Sequence, residues 1–320
     1  MQGPIRILAC RGIELFTRAV CGHLALDLSG MKVVRFANDQ LMPIVRENVR
    51  EADVFILAPT ATSTNGVDVN ASIVELCLAI DALKRASAGR ITVVVPYFPY
   101  ARSDKKDQPR IPIGARLMAN LLERAGANRV LTMDLHSAQI QGFCDIPVDH
   151  LEARPILVQH YRGQDLGNAI VVASDVGEAK EAGGFARQLN LPLAIVDKRR
   201  SGNEDKAKPA HIVGDVDGKD AILIDDEIST AGTLVEASTF LLEHGAKSVR
   251  AGATHAIFAG PAVDRLKSSS LTEVVVTDTV PLPDHKRFDK LVVLSVAELF
   301  ARAIRCIHDG DSVSVLFNGK

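Results

Sequence analysis

Two adjacent carboxylates, Asp225 and Asp226, end the apolar run Ile222-Leu223-Ile224 and are followed, after Glu227 and Ile228, by the loop Ser229-Thr230-Ala231-Gly232-Thr233. Leu234, Val235, Ala237, Phe240 and Leu241 then recur at helical spacing. In such a strand–acids–loop–helix unit, the loop offers N–H groups and hydroxyls to a phosphate at a helix N-terminus, where the helix dipole also favours an anion. Carboxylates at the carboxyl end of the strand can hold sugar hydroxyls or a divalent cation. Phosphate, diol and metal together describe a ribose phosphate site. The same residue types would also make an ordinary turn and helix cap, so the rest of the chain has to decide.

Four further constellations bear on that choice. Pro99-Tyr100-Ala101-Arg102-Ser103-Asp104-Lys105-Lys106-Asp107, with Arg110, places four cations just past the strand-like run Ile91–Val95, where guanidinium forks and ammonium charges suit a polyphosphate. Met133-Asp134-Leu135-His136 brings an acid and an imidazole off a strand end, and a neutral imidazole can bind a metal or a phosphate oxygen. Asp197-Lys198-Arg199-Arg200 follows the run Leu193–Val196 and would suit charge developing on a transferring phosphoryl group. Ser174-Asp175-Val176-Gly177-Glu178 follows Ala169–Val172 and adds another strand-end acid. A structural explanation would have to hold separately at each of these strand ends. Neither GxxxxGK[ST] nor GxGxxG occurs, so a nucleotide would be held in another way.

The elements that must position these residues follow from periodicity. Strand-like runs at Val54–Leu57, Ile91–Val95, Val130–Met133, Ala169–Val172, Leu193–Val196, Ala221–Ile224, Ser248–Ala253 and Glu273–Val276 alternate with helical patterns at Ala71–Ala86, Gly114–Arg124, Ala179–Leu189 and Thr233–His244. This alternation predicts an α/β fold with parallel sheets covered by helices. The stretch from Leu122 to His136 has an echo from Leu241 to His255: helix, Gly-Ala turn, strand, histidine. The echo predicts two similar halves, with a boundary near Asp149–Pro155. Ser103–Arg110 and Ser201–Pro209 read as polar loops.

The bulk numbers are those of a soluble globular protein. The chain has 320 residues, enough for two domains, with 47% hydrophobic and 24% charged residues. A net charge of −2 gives no overall basic footprint for nucleic acid, and stacking platforms are scarce because Trp is absent and Tyr occurs three times. No apolar run approaches the roughly 20 residues of a membrane span, and the first ten residues lack the pattern of a signal peptide. Cys10, Cys21, Cys77, Cys144 and Cys306 are scattered and odd in number, fitting neither a zinc site nor a disulfide framework. They read as reduced thiols of a cytoplasmic protein.

With these residues in view, the chain resembles the ribose-phosphate pyrophosphokinase (phosphoribosyl pyrophosphate synthetase) family along almost its whole length. The matching motifs are Tyr100-Ala101-Arg102-x-Asp104-Lys105-Lys106, Met133-Asp134-Leu135-His136, Gln139-Ile140-Gln141-Gly142-Phe143, Asp145-Ile146-Pro147-Val148-Asp149, Asp197-Lys198-Arg199-Arg200, the Asp225–Thr233 loop and Ser312-Val313-Ser314-Val315-Leu316-Phe317. The resemblance implies two tandem phosphoribosyltransferase-type domains, 1–152 and 153–320, each a mainly parallel sheet flanked by helices, the last residues packing back on the first domain. It implies transfer of the β,γ-diphosphoryl group of ATP to the C1 hydroxyl of ribose 5-phosphate, with Mg²⁺, in a homohexamer built from dimers.

By the same resemblance, Ser229, Thr230, Ala231, Gly232 and Thr233 cradle the 5-phosphate, while Asp225 and Asp226 hold the ribose hydroxyls and associated magnesium. His136 and Asp175 match metal positions. Lys198 and Arg200 match residues that stabilise the transition state, Arg200 also touching the sugar phosphate. Arg102, Ser103 and His136 match ATP-contacting positions, and Phe36, Asn38, Asp39 and Gln40 an adenine-binding loop lent across a subunit interface. The chain departs from the family pattern at Gln40 (usually Glu), Ser103 (usually Gln), Ser229 (usually Asp) and Glu178 (usually Gly). Two alternatives stand beside the synthetase: a phosphoribosyltransferase, which needs only one such domain, and a non-catalytic regulatory paralogue, which would not need clustered charges.

Overall fold

The computed structural model describes residues 3–61, 67–199 and 208–317. The chain divides into two compact units: one holds the chain up to Glu152 with Thr279–Pro281 and the residues from Ser295 onward, and the other holds Ala153–Asp278 with Leu282–Leu294. The chain thus passes between the units near Glu152. The residues from Ser295 onward belong to the first unit instead of continuing the second.

The first unit is built on β1 (Ile5–Ala9), α1 (Glu14–Leu24), β2 (Met31–Arg35), β3 (Leu41–Val45), β4 (Asp53–Leu57), α2 (Val69–Arg85), β5 (Arg90–Val94), α3 (Gly114–Ala125), β6 (Arg129–Met133) and β7 (Val148–Leu151). Strands β1, β4, β5, β6 and β7 form one parallel sheet in that order, and β2 and β3 form an antiparallel hairpin. Val54–Leu57 is buried throughout, as a parallel strand covered on both faces requires. Asp68 starts α2 by accepting from the N–H groups of Asn70 (2.9 Å) and Ala71 (3.0 Å), a side-chain N-cap.

The helix α8 (Ala297–Asp309) completes this unit. Its end is held by a buried charge. Arg90 donates to both oxygens of Asp53 (2.8 and 2.6 Å) and to the carbonyl of Ile307 (2.9 Å), and His308 Nδ1 lies 2.8 Å from Asp53 Oδ2. Asp53 is 1% exposed. Removing it leaves a largely buried guanidinium without its carboxylate, so Asp53→Ala should cost about 3 kcal/mol. A urea melt checks this; a loss below about 0.5 kcal/mol would put the pair among screened surface contacts.

The second unit contains α4 (Arg154–Arg162), β8 (Ala169–Ala173), α5 (Ala179–Leu189), β9 (Leu193–Arg199), β10 (Lys208–Val213), β11 (Asp220–Ile228), α6 (Gly232–Glu243), β12 (Ser248–Ala256), α7 (Ala262–Ser268), β13 (Glu273–Thr277) and β14 (Leu291–Leu294). Its sheet runs β10-β9-β8-β11-β12-β13-β14, parallel except for the antiparallel edge strand β10. Of the loop expected over Ser201–Pro209, Lys208 and Pro209 belong to β10, whose apolar Ile212 and Val213 continue the ladder against β9; residues 201–207 lie outside the described residues. From β8 the chain winds outward through β9, and from β11 it winds the opposite way through β12, β13 and β14. Helices α4 and α5 cover one face, packed on Val171, Ala173, Ile222 and Ile224. Helices α6 and α7 cover the other, over Ile170, Val172 and Leu223. The order therefore reverses between β8 and β11, a topological switch point that opens a crevice at the strands' carboxyl ends.

The sequence echo has a physical basis. Gly126 (φ +128°) links α3 to β6 and Gly245 (φ +90°) links α6 to β12. Both sit where L side chains are strained, and a Cβ on Gly245 would collide with the Asp217 carboxylate.

Candidate active site

The crevice beside the switch point is where the chemistry-bearing residues of the second unit gather. Strands β9, β8 and β11 are consecutive neighbours, all parallel. Their carboxyl ends carry Asp197 and Lys198, then Ser174–Glu178, then Asp225 and Asp226. The carboxylates of Glu178, Asp225 and Asp226 lie together, with one oxygen of each within 4.8 Å of the others. All three are half-buried. Asp226 N–H donates to Asp225 Oδ1 at 2.9 Å, and Glu178 N–H donates to Asp175 Oδ1 at 3.2 Å, which folds the β8 loop over at the start of α5. Burial pushes the Asp225 carboxyl well above the ordinary carboxylate range. The charge of Asp226 adds to this, the adjacent Ser174 hydroxyl pulls the other way, and Glu178 adds a smaller push. Hard oxygen donors at this spacing suit a divalent cation or the hydroxyls of a sugar.

The loop Ser229–Thr233 is fixed by its backbone and leaves its polar groups available. Phe258 N–H donates to Ile228 O (3.0 Å) and Ala259 N–H to Ser229 O (2.9 Å), tying the loop to the chain after β12. Arg265 on α7 donates to Thr230 O at 3.0 Å. Ala231 is held at φ +59°, a conformation that costs a non-glycine residue and persists where surroundings enforce it. Among the described residues, the hydroxyls of Ser229, Thr230 and Thr233 make no hydrogen bond, and α6 has no side-chain cap. The first-turn N–H groups of α6 therefore stand beside three hydroxyls at the positive end of a helix dipole, an anion-ready cradle.

A Cβ on Gly232 would sit 3.2 Å from Arg265 Nη1, the tip of a flexible side chain. Alanine should be tolerated there. Valine should displace Arg265 and deform the cradle, raising KM for ribose 5-phosphate about 10-fold with little change in fold stability. Unchanged KM in Gly232→Val would reduce the loop to a plain turn.

Arg200 lies outside the described residues, and of Lys198 only the backbone is described, paired with Pro209 at the carboxyl end of β9. Asp175 is half-buried on the β8 loop, adjacent in sequence to the buried Ser174 but not a member of the three-carboxylate cluster. His136 is exposed, past the end of β6 in the first unit.

Arg102 and Ser103 follow β5, the neighbour of β6, so they leave the same sheet edge as His136. Ser103 is a structural brace, since its Oγ accepts from Gly114 N–H (3.0 Å) and its carbonyl from Ala115 N–H (3.1 Å), closing the 103–114 loop onto the start of α3. Phe36, Asn38, Asp39 and Gln40 form the tip of the β2–β3 hairpin. Phe36 N–H donates to Gln40 O and Asp39 N–H to Phe36 O, both at 2.9 Å; Asn38 Oδ1 accepts from Gln40 N–H (3.3 Å), and Arg35 bonds Asp39 (3.0 Å). The turn is self-braced and presents the Phe36 ring at 45% exposure, a surface on which a flat base can stack.

Two contributors had no role assigned to them from sequence. Arg265 reaches the loop from a helix 35 residues further on, and an arginine on a short helix is unremarkable in one dimension. Glu178 registers in sequence only as a departure from a glycine pattern; its place in the acid cluster follows from β8 and β11 being neighbours, which periodicity does not report.

Residues 5–126 match the N-terminal domain of ribose phosphate pyrophosphokinase, and residues 201–318 match the phosphoribosyl synthetase-associated domain. The ribose-phosphate pyrophosphokinase of Caldanaerobacter subterraneus is 50% identical over 299 residues, covering 93% of each chain. That of Deinococcus radiodurans is 45% identical, covering 99% of this chain and 98% of the relative. The crystal structure of phosphoribosylpyrophosphate synthetase from Mycobacterium smegmatis superposes with a TM-score of 0.87 at 39% identity, over 96% of this chain and 99% of that one. With matches of this identity running nearly end to end, the chain belongs to the ribose-phosphate pyrophosphokinase family.

Proposed function

We propose that the chain transfers the β,γ-diphosphoryl group of ATP to the C1 hydroxyl of ribose 5-phosphate, giving 5-phosphoribosyl 1-pyrophosphate and AMP for nucleotide biosynthesis. The observation that carries this reading is the strand–acids–loop–helix site of the second unit, set at a switch-point crevice in a chain that matches synthetases almost end to end. The C1 hydroxyl oxygen attacks the β-phosphorus, the bond from that phosphorus to the α–β bridging oxygen breaks, AMP leaves with that oxygen, and the hydroxyl proton passes to solvent. In-line transfer of this kind depends mainly on positioning and on neutralising charge.

In this reading the Ser229–Thr233 cradle takes the 5-phosphate, and Asp225 with Asp226 orients the ribose hydroxyls. Lys198 and Arg200 neutralise charge on the transferring group. Phe36 stacks on adenine, with Asn38, Asp39 and Gln40 bonding its edge and Arg102, Ser103 and His136 meeting the nucleotide. The carboxylates of Asp225 and Asp226 fit magnesium associated with the ribose hydroxyls, and His136 and Asp175 are each read as metal positions; bound Mg²⁺ would supply charge neutralisation of the polyphosphate. A homohexamer built from dimers would let one copy lend its hairpin tip to another. No helix is long and apolar enough to cross a membrane among the described residues, and a cytoplasmic location fits a chain whose described cysteines are all free thiols. The test is release of nucleotide from ATP with Mg²⁺: AMP that appears only with ribose 5-phosphate supports the reading, and ADP or no turnover from folded protein opposes it.

A further inference from the structure

Arg265 brings a positive charge to the edge of the Ser229–Thr233 cradle from a rigid root. Its helix, α7, is anchored by Ala262 and Leu266, both wholly buried in the second unit's core. From there the guanidinium reaches the loop, where Nη1 donates to Thr230 O at 3.0 Å. The same nitrogen lies 3.2 Å from the place that a Cβ would take on Gly232, the first residue of α6. Glycine there leaves the guanidinium its room. One N–H is thereby committed. Among the described residues the guanidinium makes no other hydrogen bond and no ion pair with a carboxylate, so its remaining donors are open to a ligand.

That position is unfavourable for a cation in the free protein. A helix N-terminus carries partial positive charge and repels a guanidinium beside it. Two positive features meeting at one point favour an anion, and a guanidinium fork matches the oxygens of a phosphate in a way that an ammonium does not. We propose that Arg265 is a substrate-binding residue for the sugar's 5-phosphate: one N–H holds the cradle through Thr230, and the open donors bind the phosphate. The inference rests on the reading above in taking the cradle as the 5-phosphate site. It adds a charged side chain from outside the loop, carried by a different helix.

The test is a calorimetric titration of the full chain with ribose 5-phosphate, in Mg²⁺ and an ATP analogue whose α,β-methylene bridge blocks transfer. Arg265→Gln should weaken binding about 10-fold or more, and Arg265→Lys should recover part of the loss. In turnover the loss should fall on KM for ribose 5-phosphate, with kcat changed less than about 3-fold. The melting temperature separates a ligand from a mere brace. Free Arg265→Gln should melt within about 2 °C of wild type, and excess ribose 5-phosphate should raise wild type more than the variant. Equal affinity in wild type and Arg265→Gln, no binding by wild type at millimolar sugar phosphate, or a free variant that melts well below wild type overturns the proposal. Sugar-dependent AMP release from ATP is a separate readout: its absence, with Arg265-dependent binding intact, counts against the proposed function alone.

Discussion

Asp225→Asn should lower sugar-dependent AMP release by about 100-fold or more and, at neutral pH, raise the melting temperature of the free protein. Both effects have one origin. Burial and the neighbouring charge of Asp226 hold the Asp225 carboxyl well above its unfolded value. A carboxyl raised in the folded state contributes stability below its unfolded pKa, and that contribution is lost as pH rises through its folded pKa. At neutral pH an ionised Asp225 is therefore a burden on the free fold, which asparagine removes. The melting-temperature difference between Asp225→Asn and wild type should narrow as pH falls toward the ordinary carboxylate range. Added divalent cation should also narrow it, by stabilising wild type more. A variant that melts lower than wild type at pH 7 would make Asp225 a structural residue.

The second large effect is expected at Lys198. Its backbone lies at the carboxyl end of β9, the strand next to β8 and on the same edge as the acids. A cation there acts mainly on charge that develops as the diphosphoryl group moves, so Lys198→Ala should lower kcat by about 100- to 1,000-fold and change KM for ribose 5-phosphate only a few-fold. Unchanged turnover would remove Lys198 from the chemistry. A rise in KM at constant kcat would assign it to ground-state binding of the sugar phosphate.

Much of this was legible in one dimension because parallel α/β architecture writes itself as alternation. Buried runs such as Val54–Leu57 and Ala221–Ile224, bounded by helical patterns, locate strands without any partner information. The Asp225–Thr233 stretch was legible for the same reason: acids, hydroxyls and glycine follow one another along the chain, so their proximity is local.

Strand order was not legible. The neighbouring of β8 and β11, which creates the crevice and delivers Glu178 to Asp225 and Asp226, is a long-range choice made by the packing of α4 and α5 on one face and α6 and α7 on the other. Hairpin strands β2 and β3 and edge strands β7, β10 and β14 also escaped periodicity. Val148–Leu151 and Leu291–Leu294 are only four residues long, and Leu41–Val45 carries a proline and alternates between half-buried and exposed positions. Ser103 illustrates a different limit. The family resemblance implied a contact with ATP, while its position 11 residues before Gly114 gave no hint that it closes that loop.

The central claim is tested most directly by the identity of the sugar product formed from ATP, Mg²⁺ and ribose 5-phosphate, read by mass and by phosphorus magnetic resonance. The account predicts a ribose that keeps its 5-phosphate monoester and gains two mutually coupled phosphorus signals at C1, in equal amount to AMP. A product carrying a single added phosphate, with ADP in equal amount, or a sugar left unmodified by well-folded protein, would contradict it.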